Sequence, residues 1–194
     1  AGVIYYVGQL NNLNILSDSL TRNGTITQNE ILAFVETQVH CFALIVKSND
    51  DCWAMVDHIR SYPIYYSCRN GNVFFSNDAR KVQDYFNLID VDKKSVPQFL
   101  LSGYVHGTGT LYESLSQLKA GQLIRVKLSD GTLTKHQYFR YLPKEPITYP
   151  TEDEIIEEFG FVLDQVFDSI VEKARDRLIL VPLSGGLDSR LVLC

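Results

Sequence analysis

Cys41-Phe42-Ala43-Leu44-Ile45-Val46-Lys47 and Cys52-Trp53-Ala54-Met55-Val56-Asp57 are β-branched, aromatic and aliphatic runs separated by Ser48-Asn49-Asp50-Asp51. Apolar runs of this length between turn-forming residues read as strands. The same signal recurs at residues 3–7, 64–67, 72–76 and 122–128. Asn70-Gly71 lies between two of these runs and predicts a hairpin, because Asn and Gly tolerate the left-handed φ that a two-residue turn needs. Asp130-Gly131 predicts a second tight turn, between residues 124–127 and 133–135. Helical spacing marks residues 10–21, 31–38 and 96–102, the last entered through Pro97. Strands in alternation with helices grouped apart fit an α+β sandwich.

A break follows. Leu142-Pro143-Lys144-Glu145-Pro146-Ile147-Thr148-Tyr149-Pro150 holds three prolines in nine residues and suits neither a regular helix nor a central strand. It predicts a linker at 143–150 between a domain at 1–142 and a second segment at 151–194. That segment opens with Thr151 and Glu154 at capping-box spacing, then carries Ile155, Phe159, Val162, Val166 and Ile170 at helical spacing for more than five turns. Leu178-Ile179-Leu180-Val181-Pro182-Leu183 predicts a buried strand, and Arg190-Leu191-Val192-Leu193 predicts the opening of a helix.

Between them stands Ser184-Gly185-Gly186-Leu187-Asp188-Ser189. A strand, a glycine turn and a helix start make a phosphate site, because backbone N–H groups converge there. Gly185 and Gly186 permit positive φ and lack Cβ atoms, so a polyanion can approach the backbone. Ser184 and Ser189 add hydroxyl donors, and Asp188 is placed to hold a Mg²⁺. No G-x-x-x-x-G-K-[ST] string occurs, so the loop is not of the Walker type.

The hexamer after an apolar run resembles the pyrophosphate loop (PP-loop) of the ATP pyrophosphatase superfamily. The resemblance implies ATP and Mg²⁺ as cofactors, with Ser184, Gly185, Gly186 and Ser189 on the pyrophosphate and Asp188 on the magnesium. Earlier pieces narrow the family. Asp57-His58-Ile59-Arg60-Ser61-Tyr62-Pro63-Ile64-Tyr65-Tyr66, followed by Ser76-Asn77-Asp78, is similar to the Asp-Arg-x-Gly-x-x-Pro-Leu-Tyr-Tyr and Ser-Asp pieces of asparagine synthetase-like proteins. Leu101-Ser102-Gly103-Tyr104-Val105, Gly109-Thr110-Leu111-Tyr112-Glu113 and Leu118-Lys119-Ala120-Gly121 resemble the segment closing that family's amidotransferase domain. The order of these pieces covers residues 50–194.

The resemblance implies an α+β, Ntn-hydrolase-like αββα sandwich followed by the first helix and strand of an α/β ATP pyrophosphatase domain. It implies an ATP-dependent carbon-nitrogen ligase that adenylates a small carboxylate, aspartate or an analogue, and amidates it with ammonia or glutamine. A homodimer belongs to the same expectation, and the scattered cysteines make a cytoplasmic, reducing setting the simplest one. Glutamine-using members carry a cysteine after the initiator, whose α-amino group serves its own thiol as base. Here Ala1-Gly2-Val3-Ile4 either replaces that strand, or Tyr6-Val7-Gly8-Gln9-Leu10-Asn11-Asn12 matches a later one. The second alignment puts Val7 where the family has an oxyanion-stabilising asparagine. The expectation is a fragment with no catalytic residue for glutamine hydrolysis, inactive alone. Two rivals follow: a β-lactam synthetase-like enzyme without glutaminase activity, and a non-catalytic binding or oligomerisation module.

Composition sets the remaining bounds. A hydrophobic share of 45% with 21% charged residues is ordinary globular composition. Net charge of −5 disfavours a nucleic-acid surface, and no apolar run reaches the length of a membrane span. Cys41, Cys52, Cys68 and Cys194 show no C-x-x-C spacing, and His40, His58, His106 and His136 are dispersed, so neither zinc nor a disulfide frame is indicated. Asp57 and Arg60 are expected to form an ion pair supporting their turn, in a region that the resemblance places near the glutamine pocket. Arg190 reaches phosphate oxygens or caps the surface.

Overall fold

The computed structural model describes residues 2–69, 71–142 and 151–193, so Asn70, the expected linker at 143–150 and Cys194 lie outside the described residues. The chain divides into two units, Ala1–Leu142 and Pro143–Cys194. The first unit runs β1 (Val3–Gly8), α1 (Asn14–Asn23), α2 (Gln28–Glu36), β2 (Phe42–Lys47), β3 (Asp51–Val56), β4 (Tyr65–Arg69) and β5 (Asn72–Ser76). It continues through α3 (Ala79–Phe86), α4 (Ser95–Ser102), β6 (Ser116–Gln117), β7 (Gln122–Lys127) and β8 (Leu133–Gln137). The second unit holds α5 (Glu152–Lys173) and α6 (Leu187–Leu191).

Two antiparallel sheets result, one ordered β1-β2-β3-β7-β8 and one ordered β5-β4-β6. Side chains alternate across a strand, so β1, β2, β3 and β7 of the larger sheet each feed two cores. Phe42, Leu44, Val46, Trp53, Met55 and Leu123 face one way and pack with Leu16, Ile31, Phe34 and Val35 of α1 and α2. Ala43, Ala54, Val56, Ile124 and Val126 face the other way and meet Ile64, Tyr66, Val73 and Phe75 on the smaller sheet. The outer face of that sheet presents Tyr65 and Phe74 to Val82 and Phe86 of α3. Three cores therefore separate four layers in the order helix, sheet, sheet, helix. Burial on both faces explains why β2 and β3 read as continuous apolar runs.

The expected strands of the first unit appear within a residue or two of their predicted ends. The β4–β5 hairpin pairs Arg69 with Asn72 across the predicted turn, where Gly71 takes φ +75°. The Asp130-Gly131 turn joins β7 to β8, with Gly131 at φ +72° and its N–H on the Lys127 carbonyl. Helix α2 starts earlier than its apolar spacing, because Thr27 and Glu30 form a reciprocal capping box. Helix α3 and the two-residue strand β6 were not expected. At the start of α5, Thr151 accepts the Glu154 N–H as predicted.

Candidate functional site

Strand β3 ends at a turn organised by one carboxylate. Asp57, 4% exposed, accepts the N–H groups of Phe42 at 2.9 Å, Ile59 at 2.9 Å and Ser61 at 3.1 Å. The Ser61 hydroxyl donates to it as well, at 3.3 Å. This corrects the expected ion pair with Arg60, because the turn's own amides fill the carboxylate. Arg60 takes φ +59°, in the left-handed region, and its Nη1 donates to Gln117 Oε1 at 2.7 Å and the Leu118 carbonyl at 3.3 Å. It occupies the position at which the resembled segment has glycine, the residue that adopts this φ without strain. His58 stacks on Phe139 at 4.1 Å between ring centroids, and the Tyr138 hydroxyl donates to the Val56 carbonyl. Burial, with the nearby Asp57 charge, pushes the Tyr138 phenol well above its ordinary range.

Between the two sheets lies a cavity of about 460 Å³ whose walls include Tyr5, Val7, Ala43, Ile45 and Phe75, with Ser76 and Asn77 beside them. Val7 is half-buried there and has no side-chain donor. One residue on, Gly8 at φ +94° closes β1, and a Cβ would stand 2.2 Å from the Cys41 carbonyl oxygen, so no side chain fits. Cys52 is buried in β3, and burial pushes its thiol up to about 11. Burial also raises the Cys68 thiol. A thiol raised in this way is a weak nucleophile near neutral pH. A second cleft, of about 580 Å³, is lined by Arg60, Tyr104, His106, Gln117 and Lys119 among others.

In the second unit the chain folds Ser184 onto Ser189. The Ser184 N–H donates to Ser189 Oγ at 3.2 Å, and the two hydroxyl oxygens are also 3.2 Å apart. The Gly186 N–H donates to Ser184 Oγ at 3.3 Å, and α6 starts at once with Asp188 exposed in its first turn. One expectation needs correction. Residues 178–183 form no strand, since no other strand of the described residues runs beside them to complete a ladder. Neither Gly185 nor Gly186 takes a positive φ, and a Cβ on Gly185 would meet nothing within 4 Å. The glycines leave the backbone bare rather than bending it. Arg190 is exposed in α6.

The profile of the glutamine amidotransferase domain matches residues 31–139. The chain belongs to this family. The matched stretch contains the Asp57 turn, the second cleft and most of both sheets. The chain is 27% identical over 154 residues to asparagine synthetase [glutamine-hydrolyzing] 1 of Bacillus subtilis, a match covering 78% of this chain and 23% of the relative. It thus spans about a quarter of that relative's length, at 23%. Among solved structures, the glutamine phosphoribosylpyrophosphate amidotransferase from B. subtilis complexed with ADP and GMP aligns at TM-score 0.37 and 11% identity, over 73% of this chain and 30% of that one. The allosteric regulatory enzyme of purine biosynthesis aligns at TM-score 0.37 and 12% identity, over 73% and 29%.

Sequence reading reached Asp57, Arg60 and the serine loop but missed Gln117 and Tyr138. Gln117 carried no signal, since it meets Arg60 across 57 positions. Tyr138 stood one residue beyond a strand, as many surface tyrosines do.

Proposed function

We propose that the chain is the amidotransferase part, with Ntn-type architecture, and the first elements of the synthetase part of an asparagine synthase-like ligase. It would adenylate a small carboxylate at the expense of ATP and then form an amide, with ammonia or glutamine as the nitrogen donor. The observation that carries the ligase half is the Ser184–Ser189 contact, which folds the hexamer into a closed loop at the start of α6. In this reading the loop's N–H groups and hydroxyls hold the pyrophosphate part of ATP and stabilise charge as it departs, a task that needs no covalent group. Asp188 fits Mg²⁺ as an exposed hard oxygen donor beside these hydroxyls, and the ion when bound would neutralise phosphate charge.

ATP–pyrophosphate exchange by the complete polypeptide tests this reading. Asp188→Ala is expected to lower exchange by roughly a hundredfold or more, the usual scale for an electrostatic group of this kind, with the far-ultraviolet spectrum unchanged. Undiminished exchange in that variant would overturn the assignment. Val7 supports a second reading, in which ammonia or an amine of the substrate itself replaces glutamine, because an aliphatic wall stabilises no oxyanion. Amide formation with ammonium but not glutamine would select it.

A further inference from the structure

We propose that the cleft beside Arg60 binds a small oxyanion, a phosphate or carboxylate with no ammonium group next to it. Arg60 is anchored by one nitrogen. Its Nη1 is held by Gln117 Oε1 and the Leu118 carbonyl, and Gln117 is fixed in turn by its own Nε2, which donates to the Gly109 carbonyl at 2.9 Å. Among the described residues Arg60 Nε and Nη2 donate to nothing, and neither is a buried unsatisfied atom, so that edge of the guanidinium is not sealed from solvent. The Nε–Nη2 edge is a two-pronged donor that matches two oxygens of a carboxylate or phosphate.

The surroundings agree in sign. Lys119 lines the same cleft of about 580 Å³, and among the described residues no Asp or Glu does, in a chain whose net charge is −5. Clefts lined by one sign of charge concentrate counter-ions. The lack of a carboxylate in the lining also separates this ligand from glutamine, whose α-ammonium group would meet Arg60 and Lys119 and no carboxylate. Arg60 holds this position at a φ of +59°, a backbone conformation that glycine adopts freely. Arg60→Gly is therefore a substitution the local backbone tolerates, and it removes the fork together with the Nη1 contacts to Gln117 and Leu118.

The test is a nuclear magnetic resonance titration of the whole chain with inorganic phosphate, acetate and glutamine, following the Arg60 side chain and the Gln117 and Lys119 amides. Phosphate and acetate should give saturable shifts at these positions, and glutamine shifts weaker by roughly tenfold. Arg60→Gly should weaken phosphate binding by roughly tenfold or more with an unchanged amide spectrum elsewhere, and Arg60→Lys should recover part of it. Shifts that fail to saturate, or that persist undiminished in Arg60→Gly, would overturn the proposal, as would equal affinity for glutamine.

Discussion

Asp57 shows how one buried carboxylate can fix a turn. Three backbone N–H groups and a hydroxyl converge on it, and the Phe42 amide among them belongs to the start of β2, so the contact also ties the β3 exit to the neighbouring strand. Removing the acceptor leaves buried donors unpaired, at about 1–3 kcal/mol each. Asp57→Ala is therefore expected to lower unfolding stability by about 3 kcal/mol or more, read as a drop in denaturant midpoint. A loss of under about 1 kcal/mol would mean that water replaces the carboxylate and that the turn holds itself. The sequence showed the importance of Asp57 but misread its partner. Opposite charges three residues apart suggest an ion pair, yet a turn delivers its own amides to the carboxylate first. The left-handed φ of Arg60 then carries its side chain to Gln117, and nothing local in the sequence announces a positive φ at an arginine.

At the scale of elements, legibility followed the strength of the local pattern. Strands β2 and β3 were plain because both of their faces are buried, and the Asp130-Gly131 turn was plain because it needs a positive φ. Helix α3 was hidden, since it is eight residues long and Val82 is its only buried residue. The error at residues 178–183 has a different cause: an apolar run carries β propensity, but a strand exists only beside another. Helix α2 offers a sharper test of local rules. Its capping box pairs Thr27 with Glu30, and Thr27→Ala should cost about 1 kcal/mol in unfolding stability. The backbone N–H and hydroxyl of Thr27 hold the Glu30 carboxyl below its ordinary value of 4.5. The folded state therefore favours the ionised form, so this contribution is complete above pH 4.5 and is lost as pH falls through the lower folded value. Glu30→Gln should flatten that part of the acid limb of stability against pH. An unchanged acid limb would show that the box does not survive in solution.

Across the molecule, the two units differ in what they bury. In Ala1–Leu142 three cores hold four layers together, and the family profile lies within it. Helix α5 in the other unit buries no residue. Ile155, Phe159, Val162, Val166 and Ile170 form one stripe along it, each between 42% and 59% exposed. A stripe of that length and composition is built to be covered. The 194-residue chain is thus expected to self-associate, with an apparent mass in sedimentation that rises with concentration, and Phe159→Glu with Val166→Glu should hold it monomeric. In a longer polypeptide whose further elements cover the stripe, the same pair of substitutions acts in the opposite direction, because it buries two charges and destabilises the domain. A wild-type chain that stays monomeric and binds no apolar dye would refute the first expectation. Improved solubility from the pair in the complete protein would refute the second, and would count against α5 as a packed element of a synthetase domain.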